Sequence, residues 1–291
     1  MFQEQHAAIA YFLGGAHHCK PAHWKMSDLM FRVDLQQINS TQNYTLKQFS
    51  VIQPTTSKTA EAPHLAFAAG LTLKSDNNGL VGFSVNGKDL NLRSIESSIT
   101  NEIYVYETLP KNTTYRTTIY RTPKRAELFP IEAKSKEVLQ SGDIPPHMYG
   151  STITLVVKSS LKSGEAVLIG GNLLTNNPSP IEIMLGKINV WQEKSSGSVF
   201  SLTFDLEKEI FNWKKRELEI VPRANHLKKI HGERLYIFGG VNLETQMRYD
   251  VKPVIVDIET WSILSTITTD DFPQQKISGQ GFIQVVLVTG L

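Results

Sequence analysis

An apolar run that stops at two glycines recurs along this chain. It reads AIAYFLGG at Gly14 and Gly15, EAVLIGG at Gly170 and Gly171, and RLYIFGG at Gly239 and Gly240. A weaker copy, VGFSVNG, ends at Gly87, and QVVLVTGL holds a broken one near the end of the sequence. Glycines after a buried strand let the backbone turn where a side chain would clash. One such pair constrains little. Recurrence at a loose period marks a repeat architecture, in which each copy is a small unit that must stack on its neighbours to bury its faces.

The second half of each copy supports this reading. A polar loop follows the glycines, then another strand. DLMFRVDL ends near Asp34, and NEIYVYET holds the same place in the second copy. SVFSLTFDLEKEIFNW carries Asp205 and Trp213, and KPVIVDIETW carries Asp257 and Trp261. Apolar strand, Gly-Gly, loop, strand, Asp, short turn, Trp is the order of the kelch repeat, one four-stranded propeller blade per copy. The expected fold is therefore all-β: a kelch-type β-propeller, six-bladed when complete. The Asp should cap the turn into the outer strand, and the Trp should fill the gap between blades.

The chain divides into units at about 1–58, 59–141, 142–218 and 219–268, with a partial fifth over 269–291, all in one propeller domain. The opening strand of the first unit is expected to be missing, and the fifth stops after its second strand. Four units and a fragment do not close a ring, so truncation of the last blades is expected. A regular kelch unit runs about 50 residues. The second and third units are longer, with the excess at 108–146 and 172–197, and are expected to carry it as loops on a rigid wheel.

Composition narrows the classes. Mean hydropathy is −0.19, and the lack of a long unbroken apolar stretch argues against a membrane-spanning helix. Glu4 and His6 stand where a secretion signal would have neither. Cys19 is the one cysteine, so no internal disulfide forms, as in a reducing compartment, cytosol or nucleus. On that compartment argument the Asn-x-Ser/Thr triplets at Asn39, Asn43 and Asn112 are chance matches. A net charge of +2 is close to neutral, but the charge is uneven. Lys111, Arg116, Arg121, Lys124, Arg125, Lys134 and Lys136 face only Glu127 and Glu132 over 111–136. Lys214, Lys215 and Arg216 form a second basic stretch, and Lys228 and Lys229 a third.

From about Asn101 to Asp257 the chain resembles the kelch-like domain of the V(D)J recombination-activating protein 2 family. The resemblance lies in order and spacing: IYV, a Lys-rich excursion, Gly-Asp-x-Pro, Tyr-Gly, the EAVLIGG strand, a long loop bearing Trp191, and a strand ending in Asp. The family's vertebrate members follow the propeller with a zinc finger, which one cysteine cannot build, and the insertions here are longer. Both departures resemble a divergent or invertebrate, transposon-encoded relative. The resemblance implies a non-catalytic accessory subunit of a RAG-like DNA recombinase or transposase. Its implied partners are the catalytic subunit, two copies of each in a heterotetramer, and double-stranded DNA at recombination signals or terminal inverted repeats. The implied location is the nucleus.

Chemistry read from the residues points the same way. No Gly-x-Ser-x-Gly elbow, P-loop or His-Glu-x-x-His occurs. The acidic residues recur once per unit and are spread round the wheel, so no catalytic residue is expected. His17, His18, Cys19 and His23 lie close together in the first loop. A structural zinc site needs a second, separated ligand pair, so the expectation is a solvated loop with no metal and no cofactor. The basic excursion is the best binding candidate, because long cationic side chains suit phosphate contacts. Lys111, Arg116, Arg121, Lys124 and Arg125 are the expected DNA contacts, with Lys20 and Lys25 adding to the same face. Trp191, Tyr149 and Arg248 are the expected partner anchors in exposed loops. The competing readings are a generic kelch interaction adaptor and a copper oxidase of the galactose-oxidase type. The oxidase would need convergent Tyr and His ligands.

Overall fold

A computed structural model describes residues 9–13, 16–20, 23–26, 30–34, 49–54, 66–76, 79–88, 99–108, 114–120, 140–176, 181, 184–186, 191–244 and 253–266. The elements among them are strands: the protein is all-β. In the first unit β1 (Ile9–Leu13) leads into a hairpin of β2 (Ala16–Lys20) and β3 (His23–Met26), then β4 (Met30–Asp34) and β5 (Phe49–Pro54). The second unit holds β6 (Ala69–Asp76), β7 (Gly79–Val85), β8 (Ile103–Thr108) and β9 (Thr114–Tyr120). The third begins with short β10 (Ser141–Gly142) and β11 (Met148–Tyr149). It continues with β12 (Thr152–Lys158), β13 (Ser163–Ile169), β14 (Asn172–Asn176), β15 (Trp191–Ser195), β16 (Ser198–Asp205) and β17 (Ile210–Glu219). The fourth holds β18 (Leu227–His231), β19 (Arg234–Phe238), β20 (Val254–Asp257) and β21 (Ser262–Thr266).

Three antiparallel meanders recur: β6–β9, then β12, β13, β16 and β17, then β18–β21. Each is a four-stranded blade. β1, β4 and β5 form an antiparallel run ahead of them. The described residues do not by themselves close a ring. Consecutive blades are laced at their outer edges. The tail of β5 pairs parallel with β9, and β10 pairs parallel with β17.

The unbroken apolar run EAVLI follows from this stacking. A strand alternates its side chains between two faces, and both faces of β13 are covered. Ala166 and Leu168 join Phe83, Ile103, Phe204, Phe211 and Trp213 in the core between the second and third blades. Val167 and Ile169 join Val199, Leu235, Ile237, Val254 and Val256 between the third and fourth. Full burial of each such aliphatic side chain contributes roughly 1.5–3 kcal/mol. Trp213 is 2 % exposed within the first of these cores, and Trp261 packs against the second. Asp205 accepts the N–H groups of Glu207 and Lys208, and Asp257 those of Glu259 and Thr260. These acidic residues hold turns.

The glycine pairs share one backbone geometry. Gly170 and Gly171 have φ of 58° and 109°, and Gly239 and Gly240 have 59° and 101°. Asn86 and Gly87, at 61° and 123°, reproduce it in the weaker copy. Asn tolerates the left-handed region better than other side chains, so VGFSVNG is geometrically a full copy. The N–H of Gly87 bonds to Met148 O at 3.0 Å, and that of Gly171 to Arg223 O at 2.8 Å. These two pairs thus tie the exit of one blade to the entry of the next.

A second repeated position carries no common sequence motif. Phe67, Gly150 and Asn225 each precede the first strand of a blade with positive φ. Gly150 N–H bonds to Phe67 O at 2.8 Å, and Asn225 N–H to Gly150 O at 2.7 Å. A left-handed Phe costs about 1–2 kcal/mol. Here the ring lies against Tyr149, with centroids 5.9 Å apart, and its carbonyl is part of the inter-blade chain.

In the 172–197 insertion, expected as a loop, residues 172–176 and 191–195 are strands. β14 and β15 form a ladder from Asn172↔Ser195 to Asn176↔Trp191, and β11 pairs with β14. The His/Cys cluster also stands on a hairpin and not on a loop, with Ala16↔Met26 and His18↔Trp24 in register. In both units the hairpin springs from the glycine pair. β9 occupies 114–120 of the other insertion, whose excess is therefore 121–139.

Candidate interaction surfaces

Strands β9, β10 and β17 assemble one basic rim. The basic excursion leaves the second blade at Tyr120 and re-enters at Gln140. The two ends are joined directly: Gln140 Nε2 donates to Tyr120 O at 3.0 Å. From there Ser141 pairs with Asn212 and Gly142 with Trp213, at the edge of β17. The next two residues of β17 are Lys214 and Lys215, both exposed. The backbone N–H of Lys215 is held by Asp143 Oδ2 at 3.0 Å. The roots of the first basic stretch and the second basic stretch therefore share an outer edge.

Arg216, third in that stretch, is committed elsewhere. Its guanidinium lies 4.5 Å from the centroid of the Trp261 ring, and its Nε donates to Ser201 Oγ. Lys215, Arg216, Glu217 and Glu219 line a depression of about 330 Å³. Two charges of each sign leave it without the net charge that would concentrate an anion. On β18, burial pulls half-buried Lys228 down to about 8.

Of the expected DNA contacts, Arg116 lies on β9 opposite Glu107, and Lys20 and Lys25 lie on the β2–β3 hairpin. Lys111, Arg121, Lys124 and Arg125 lie outside the described residues. Of the expected partner anchors, Trp191 opens β15 opposite Asn176, and Arg248 lies outside the described residues. Tyr149, expected in an exposed loop, is buried at 9 % exposure. Its hydroxyl donates to Glu193 Oε2 at 2.7 Å, and Lys88 Nζ sits 4.8 Å from its ring centroid. Burial, then the bond to Glu193, pushes this phenol well above its ordinary value.

That Tyr149 contact belongs to a clamp that sequence reading missed. Lys88 Nζ reaches Glu193 Oε1 at 2.8 Å. Burial alone would raise the Glu193 carboxyl. The hydrogen bonds from Lys88 and Tyr149 and the Lys88 charge outweigh it and hold the group below its ordinary value. Lys194, the next residue on β15, pairs with Glu244 at 3.0 Å on the other side. Ser195 Oγ donates to Asn172 Oδ1 at 2.8 Å and accepts Leu243 N–H at 3.0 Å. Alternation along β15 sends Glu193 back to the second blade and Lys194 forward to the fourth. No motif marks these residues. The usable signal was position: Lys88 and Asn172 each follow a left-handed pair, where the chain turns towards its neighbours.

A second missed cluster lies at the seam between the third and fourth blades. Arg223 is 0 % exposed and donates to Val221 O and Gly239 O. Burial pulls it down to about 10, so it stays charged at neutral pH. His226 is also fully buried, with Nε2 at 2.7 Å from Thr152 Oγ1. Its Nδ1 has no hydrogen-bond partner. A bare ring nitrogen costs less there than an orphaned N–H, so Nε2 carries the proton and donates to Thr152. Among the described residues no group of three or more His, Cys, Asp or Glu is placed to hold a metal.

These strands define an all-β protein of stacked, blade-like antiparallel sheets. No protein-family model and no curated protein matches the chain. A solved structure described as RAG in complex with one melted RSS and one unmelted RSS contains a similar chain. The TM-score is 0.48 and the sequence identity 14 %, over 82 % of this chain and 60 % of that one. The architecture described above rests on its own strands and hydrogen bonds, not on this likeness.

Proposed function

We propose that the chain is a kelch-type β-propeller serving as a non-catalytic accessory subunit of a RAG-like recombinase or transposase. In this reading it binds the catalytic subunit over a broad face and adds phosphate contacts to DNA flanking the signal ends, in the nucleus. The order and spacing of motifs from Asn101 to Asp257 support the partner class. The observation that carries the DNA contact is the basic rim. Both roots of the 121–139 excursion meet at Gln140, beside exposed Lys214 and Lys215. Exposed cations beside the basic excursion suit phosphate contacts.

The test is a titration of terminal-repeat DNA with the chain and a candidate catalytic subunit at several salt concentrations. Lys124→Ala with Arg125→Ala should weaken binding and reduce the salt slope by about 1–2. An unchanged slope refutes the DNA contact. If the chain leaves the catalytic subunit's binding and cleavage of DNA ends unaltered, the accessory role falls and a generic interaction adaptor takes its place.

A further inference from the structure

The β14–β15 hairpin joins a braced base to an apolar end. At the base, Glu193, Lys194 and Ser195 hold the third blade to its neighbours on both sides. Beyond the last ladder pair, Asn176↔Trp191, the chain makes a helical hydrogen bond from Leu185 N–H to Ile181 O at 3.0 Å. Ile181, Met184 and Leu185 are spaced i, i+3 and i+4 around that turn, which sets them on one side. They are 69 %, 86 % and 67 % exposed, the three most exposed large apolar residues described. Single exposed apolar residues are ordinary, but three on one turn form a cluster.

Charge and size select the occupant. The segment 177–190 carries only Glu182 and Lys187, for no net charge. It offers no electrostatic hold on DNA or on an anionic membrane. Three side chains also fall far short of the roughly 800 Å² per partner that a stable dimer buries, so the end does not pair two copies by itself. An apolar i, i+3, i+4 triplet matches the spacing by which short helical segments enter apolar grooves on proteins. We infer that the hairpin is a docking prong that seats Ile181, Met184 and Leu185 in an apolar groove of a protein partner. Resting on the reading above, that partner is the catalytic subunit. The braced base lowers the ordering cost on binding.

The test compares the chain with its Ile181→Ser/Met184→Ser/Leu185→Ser variant. Affinity for the purified catalytic-subunit candidate is measured by calorimetry, with melting curves as the folding control. The exposed positions should leave the melting temperature unchanged, while affinity falls about tenfold or more. Equal affinities for the two chains overturn the prong and leave the accessory role standing. If the unaltered chain does not bind the subunit, both fall together. Sedimentation of the unaltered chain as a dimer that the variant loses, or flotation with phosphatidylcholine–phosphatidylserine vesicles that the variant loses, also overturns it.

Discussion

Gln140 bonds both the second and the third blade at their seam, and replacing it tests the stacking directly. Its side chain is 1 % exposed. Nε2 donates to Asn101 O and Tyr120 O, each at 3.0 Å, and Oε1 accepts Trp213 Nε1–H at 2.7 Å. Gln140→Met keeps the volume and removes all three bonds. The two bonds to carbonyls contribute about 1 kcal/mol net each, and orphaning the buried indole N–H costs about 1–3 kcal/mol. The expected loss is therefore about 3–5 kcal/mol, a large share of the ~5–15 kcal/mol that holds a typical domain together. Urea denaturation should show a lower midpoint with an unchanged slope, since the surface exposed on unfolding is the same.

A double-mutant cycle removes the ambiguity of the single change. Trp213→Phe deletes the indole donor, so Gln140→Met should cost less in that background. Bonded neighbours couple by 0.5–3 kcal/mol, and a value of about 1–2 kcal/mol is expected here. Full additivity, or a cost below about 1 kcal/mol for Gln140→Met, refutes the claim that this residue pins the two blades.

Two further stability tests follow from the seams. Burial first, then the charges of Arg223 and Lys228, pull His226 down to about 3 from an ordinary value of 6.5. Unfolded His226 therefore takes a proton below pH 6.5 while the folded residue stays neutral. Its contribution is full above pH 6.5 and falls by about 1.4 kcal/mol per unit on acidification. Between pH 6.5 and 5.0 the loss is about 2 kcal/mol, read from urea midpoints, and His226→Gln should flatten that slope. Gly171→Ala meets Ser151 Cβ at 3.0 Å on a backbone of φ 109°, whereas Gly186→Ala, at φ 73°, has open space. Thermal denaturation should show the first costing about 2–3 kcal/mol and the second about 1 kcal/mol. Equal costs refute the close approach of Gly171 to Ser151.

The repeat was legible because its signals are local. A left-handed pair after a buried strand demands Gly-Gly or Asn-Gly, and a turn cap demands Asp, so both are written in the sequence at fixed places. The clamp was not legible, because Lys88, Glu193 and Tyr149 lie far apart in sequence and their types occur on any surface. Tyr149 illustrates the limit. It is expected as an anchor in an exposed loop, yet β11 pairs with β14 and draws it under Lys88. Likewise Phe67 shares no residue type with Gly150 or Asn225. The common left-handed conformation is imposed by the inter-blade hydrogen bonds and not by local preference.

Why the insertions sit where they do follows from the same geometry. The N–H of the second residue in a left-handed pair is already bonded to the next blade, as Gly87 is to Met148 and Gly171 to Arg223. The blade is therefore sealed at that point, and chain added after it need not disturb the cores on either side. Longer loops also add little closure entropy, about 0.6 kcal/mol per doubling. The β14–β15 hairpin begins at the residue after such a pair. In the third blade Ser195 bonds Asn172 and accepts Leu243 N–H, so the added ladder is fixed to the fourth unit at its first residue pair. A sealed exit followed by a braced hairpin lets the surface diverge in length and chemistry while the blade beneath it stays fixed.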